Sequence, residues 1–136
     1  MMNPVNWLFS GGQGTESTVV WWELHRIPFN LIVGAVGLAS VALMECLGST
    51  FIEPGEDFVE PLVLILGTGL FALLANVGYT VCWMMEGSIL FDEPEKRREF
   101  RSKNFKSALK WSCTCATLPI WLCLLAWVEH MVAPLS

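Results

Sequence analysis

The chain has 136 residues, 54% of them hydrophobic and only 15% charged, with a formal net charge of −5 and a mean hydropathy of +0.52. A soluble domain of this size could not hide so much apolar surface, and the charges are clustered as they are when long runs lie in lipid. The eight Lys and Arg residues do not give the broad basic surface of a folded nucleic-acid-binding domain, and five cysteines, all inside apolar runs, argue against a disulfide framework.

The first residues, MMNPVNWLFSGGQG, lack a positive n-region and carry too short an apolar piece for a secretory signal, so this end is expected to be retained. Residues 1–27 are expected to form a flexible or partner-ordered arm, and its WWELHRI stretch suits the headgroup region. Residues 28–48 are the first predicted span, with Pro28 near its N1 position. Gly34, Ala35, Gly37, Ala39 and Ala42 give it small residues at spacings of three and four, the pattern that lets helix backbones approach closely. That pattern fits packing against the chain's other spans, or against a partner helix or second copy.

Residues 49–60 form an acidic loop carrying Glu53, Glu56, Asp57 and Glu60 without any Lys or Arg. The EF-hand spacing is absent and Pro54 and Gly55 suggest a simple turn, so a solvated loop is expected rather than a calcium site. The second predicted span, 61–85, would be about 37 Å long as a helix, longer than a bilayer core of about 30 Å. Gly67 and Gly69 are further packing candidates, and Asn76, Tyr79 and Thr80 bring polar groups to its middle and inner parts.

Residues 86–107 form a basic loop and helix, and residues 92–110 hold seven of the eight cations. Asp92, Glu93, Pro94 and Glu95 favour a helix start, and Glu99 is placed to pair with Lys103. Taken together, the Lys and Arg residues surround the helix axis, which predicts a solvated stalk running into the third span rather than a helix lying on lipid. That span, 108–128, carries Pro119, expected to kink it, and a short tail follows at 129–136. The fold expected is all-α, an integral membrane protein with three transmembrane helices and a helical stalk extending the third.

With three spans, every Lys and Arg falls on the side of the N-terminus and the basic loop, and none on the side of the acidic loop and C-terminus. The positive-inside rule then predicts a plasma (inner) membrane protein with its N-terminus cytosolic and its C-terminus outside. Trp21, Trp22, Trp83 and Trp111 would anchor the cytosolic interface and Trp127 the outer one. Lys96, Arg97, Arg98, Arg101, Lys103 and Lys106 are the candidate contacts for an acidic partner or anionic lipid.

Glu45, near the outer end of the first span, is the main intramembrane carboxylate, and together with Asn76 and Tyr79 it defines a candidate polar site. Trp121, near mid-span, needs a partner for its indole N–H. Cys113 and Cys115 point about 200° apart on a helix and have no His or acid beside them, so they make a poor metal pair. His25 and His130 fall on opposite sides of the membrane. No P-loop, GxSxG, HExxH or dinucleotide fingerprint is present. The expectation is a non-catalytic accessory or assembly subunit of a larger membrane complex, with no cofactor, no metal and no nucleic-acid partner. The alternative is a homo-oligomeric channel or transporter, its path lined by Glu45, Asn76 and Tyr79. The stretch WWELHRIPFNLIVG resembles in a general way the start of small bacterial membrane proteins, a resemblance that implies no activity and no site residues.

Overall fold

The structure, a computed structural model, describes residues 4–50, 52–53, 55–89 and 91–132. Among these it is all-helical: α1 (Pro4–Phe9), α2 (Thr18–Gly48), α3 (Pro61–Ser88) and α4 (Pro94–Val132). The last three are each long and apolar enough to cross a membrane. Pro54 of the expected turn and residues 133–136 of the expected tail lie outside the described residues.

Two helix limits differ from expectation. α2 begins ten residues before Pro28, because Ser17 caps it by accepting a hydrogen bond from the Val20 N–H at 3.2 Å. Pro28 therefore lies inside the helix, where its ring removes the donor that would have met the Leu24 carbonyl. α3 runs on through Glu86 to Ser88, which moves Glu86 from the basic loop into the last turn of a helix. The stretch of charged residues and the third apolar run are one continuous helix of 39 residues, about 58 Å at 1.5 Å per residue.

The buried residues of α2 include Trp22, Phe29, Val33, Ser40, Met44 and Gly48, recurring every four or seven positions, which is one helical stripe. α2 and α4 are the principal packed pair. The main core lies toward the basic end, where Trp21, Trp22, Phe29, Tyr79 and Phe105 are buried together, with Leu8 and Phe9 of α1 closing over them. Toward the acidic end the contacts thin to Met44, Ala116 and Cys123, the last with its thiol 3.6 Å from the Met44 carbonyl oxygen. Gly48 sits under the Phe58 ring, where any Cβ would collide. α3 is the loosest element: 6% of its most apolar window is buried, against 22% for α2.

Candidate functional site

The densest polar arrangement lies where the basic segment of α4 meets the ends of α2 and α3. Glu86 is brought there by the last turn of α3 and is 2% exposed, while Arg101, from α4, is fully buried. The guanidinium lies along the carboxylate: Nε is 2.9 Å from Oε1 and 3.0 Å from Oε2, and a terminal nitrogen is 2.8 Å from Oε1. α2 supplies two more donors, the Thr18 hydroxyl to Oε1 at 2.9 Å and the Trp22 indole N–H to Oε2 at 2.6 Å. Every favourable acceptor direction of this carboxylate is used, the condition under which a buried ion pair is tolerated.

Arg101 also reaches the segment between α1 and α2. It donates to the Glu16 carbonyl at 3.0 Å, lies 3.4 Å from the Glu16 carboxylate, and stacks over the Trp21 ring at 5.4 Å. The Glu16 carboxylate in turn accepts the Gln13 N–H. Two further bonds tie down the backbone after α1, from Ser102 Oγ to the Phe9 carbonyl at 2.7 Å and from Arg98 Nε to the Ser10 carbonyl at 3.0 Å. Gly11 and Gly14 have φ of +72° and +76° and press against the Arg98 and Pro94 backbone, leaving no room for a side chain. The segment is thus ordered by the chain itself, through contacts that no local pattern in GGQGTES announces.

Beside this network His25 is stacked between Trp7 and Trp21, with ring centroids 4.3 and 4.0 Å away. Its Nδ1 lies 2.8 Å from the Trp21 carbonyl oxygen, so that nitrogen carries the hydrogen. His25 is buried rather than solvated at an interface.

Several expected site residues are placed differently. Trp21 and Trp22 are buried core residues, not headgroup anchors, because α2 turns them toward α3 and α4. Trp83 and Trp127 are half-buried and Trp111 is exposed. Tyr79 is fully buried and its hydroxyl donates to the Trp22 carbonyl at 2.6 Å. Asn76 instead exchanges hydrogen bonds with Asn30, at 2.8 and 3.3 Å, on the side of α3 that faces α2. Glu45 stands near the far end of α2, with one carboxylate oxygen enclosed and without a partner among the described residues. The structure does not bring Glu45, Asn76 and Tyr79 to one path.

The cations divide by type. Arg101 is inside the protein; Arg97 lies 4.0 Å from Glu86 and 6.0 Å from the Phe91 ring; Arg98 serves Ser10 and Glu95; Arg26 meets Glu23, Thr80 and the Tyr79 ring. The four lysines, Lys96, Lys103, Lys106 and Lys110, are exposed. The expected pair between Glu99 and Lys103 does not form within 4 Å, leaving Lys103 without an anionic partner among the described residues. At 3.6 residues per turn the four lysines of α4 fall within about 80° of one another, and its three arginines lie on the opposite side. The segment is therefore two-faced once Lys and Arg are separated, as their chemistry warrants: the planar guanidinium suits buried, multidentate contacts and the ammonium keeps its water. That signal was available in the sequence. Glu86 had a weaker one, as a lone carboxylate ending an apolar run beside a basic helix.

The small residues expected to pack the chain's own helices do not do so. Positions for a Cβ on Gly34, Gly37, Gly67 and Gly69 meet nothing within 4 Å, and Ala35, Ala39 and Ala42 are exposed. α2 uses a different stripe, with Phe29, Val33 and Met44, for its internal contacts. Between α2 and α3 an apolar groove of about 330 Å³ remains, lined by Gly34, Gly37, Leu64, Thr68 and Ala72, with the Asn30–Asn76 pair also on its wall. Among the described residues no three His, Cys, Asp or Glu side chains converge as a metal site would require. Comparison with protein-family models, with curated proteins and with solved structures gave no match.

Proposed function

We propose that the chain is a non-catalytic, multi-pass membrane subunit that packs into a larger membrane complex through the groove between α2 and α3. Its basic end faces the cytosol and its acidic end the outside of a plasma (inner) membrane, as the one-sided cations favour. The observation that carries this reading is the open glycine surface: Gly34 and Gly37 line a groove that none of the described residues fills. Helices in lipid associate by close backbone approach at such small residues, since apolar contact alone gives no advantage over lipid tails. The rigid polar cluster at the basic end fixes the spacing of α2 and α3, so the groove is held ready rather than created on binding. The subunit reading is favoured over a channel because Tyr79 and Asn76 face different neighbours and the Tyr79 hydroxyl is already committed.

The test is native purification in mild detergent of the chain and of a Gly34→Leu, Gly37→Leu variant, followed by mass analysis. The reading expects a membrane protein to copurify with the unaltered chain and to be lost from the variant, while the variant still inserts. A chain that purifies alone as a defined ring would sink it. Labelling cysteines placed at Ser49 and Ser102 from each side of the membrane checks the orientation.

A further inference from the structure

We infer that Lys103, Lys106 and Lys110 on α4 bind the phosphate headgroup of an anionic phospholipid. All three are exposed. None has a carboxylate within 4 Å among the described residues, and Lys106 is steadied over the Phe9 ring at 5.9 Å. Lys96, seven residues and about two turns further out than Lys103, differs in being paired with Glu93 at 3.4 Å.

Lipid is favoured over an acidic protein by what continues below the lysines. Trp121 is eighteen residues, about five turns, beyond Lys103 and so shares its azimuth. Leu125 and Val128 lie close to the same line, and all three are more than half or about half exposed. Thr114 and Thr117 lie between on the same line, the Thr117 hydroxyl donating to the Thr114 carbonyl; beyond them the face is bulky and apolar without glycine, unlike the α2–α3 groove, and suits acyl chains rather than a helix backbone. Lys110 is the last cation before the apolar run. Lys106 stands about 6 Å and Lys103 about 10 Å further along the axis. The headgroup layer is about 5–8 Å deep on each side of a bilayer, so Lys106 and Lys110 stand within it and Lys103 closes its outer edge. A groove between α4 and the end of α1, lined by Phe9, Ser10, Ser102, Lys103 and Lys106, lies at the same level; the Ser10 and Ser102 hydroxyls donate to the Trp7 and Phe9 carbonyls, so the lysines are its donors to a phosphate. Glu99 and Glu95, which also line it, lie farther from the apolar run, so that among the charges of this groove Lys103 and Lys106 stand nearest to that run.

The inference rests on the chain lying in a bilayer, and not on its having a partner subunit. The full chain is placed in nanodiscs of equal phosphatidylglycerol and phosphatidylcholine, extracted with mild detergent, and its retained lipids are counted by native mass spectrometry. Phosphatidylglycerol should be enriched in the unaltered chain, falling by about fivefold per lysine in K103Q, K106Q, K110Q combinations. The three Lys→Arg changes should preserve the enrichment, and K96Q should not alter it. Helix content by circular dichroism checks folding, and resistance to alkaline extraction checks insertion independently. An inserted chain without enrichment, equal enrichment in the triple Gln variant, or displacement of the lipid by a polyglutamate peptide would each overturn the inference.

Discussion

At the basic end, α2, α3 and α4 converge on one saturated carboxylate and a cluster of aromatic rings, whereas toward the acidic end Gly67 and Gly69 of α3 face open space and few side chains are buried. The difference follows from what each region can gain. Polar groups at the basic end would be left unpaired if the helices separated, so directional bonds hold the geometry. Toward the acidic end the contacts among the described residues are mainly apolar and make no such directional demand; in lipid they would gain little over the acyl chains. A small chain can thus be tied together by polar bonds at one end and leave small residues open at the other.

The sharpest way to break this contrast is to remove one member of the buried pair. Arg101→Leu, which strands Glu86, should lower stability by about 3–5 kcal/mol, read as a fall in unfolding midpoint in detergent. Glu86→Leu combined with Arg101→Leu should lose less than the single Arg101→Leu change, because no buried charge is left alone. If the single and double variants are equally affected, the pair does not organise this end.

Gly14→Ala should lower stability by about 1–3 kcal/mol, since it needs a positive φ and meets the Pro94 backbone. Limited proteolysis between α1 and α2 should accelerate with it; unchanged cleavage would mean that the segment is not held as described. Tyr79→Phe removes one buried hydrogen bond and leaves the Trp22 carbonyl without its side-chain donor. A loss of about 1 kcal/mol in the same unfolding measurement is expected. Gly67→Ala, in open space, should change the stability of the isolated chain by less than about 0.5 kcal/mol, and a large loss would show that α3 is packed more tightly than the geometry gives.

Much of the architecture was readable before any contact was known. Three apolar runs gave the three long helices, Asp92 to Glu95 marked the beginning of α4, and the concentration of seven cations in one segment separated the ends of the chain. The site was far less legible. Trp22 and Glu86 are 64 positions apart, and Glu16 and Arg101 are 85 apart. The two faces of α4 are hidden while Lys and Arg are not distinguished, and composition makes Trp21 and Trp22 read as anchors, whereas their burial depends on the rotation of α2 against its neighbours. Pro28 reads as a helix start because its local preference is strong, but Ser17 supplies a cap eleven residues earlier.

By itself the sequence determined where the chain is apolar enough to become long helices and on which side its charge collects, because hydropathy and helix geometry act along the chain and need no partner. Which arginine enters the core, which carboxylate receives it, and which glycines remain open were decided only by the tertiary structure. Those outcomes depend on the rotation and approach of whole helices, and residues tens of positions apart must meet before burial can distinguish a guanidinium that is satisfied from an ammonium left in water.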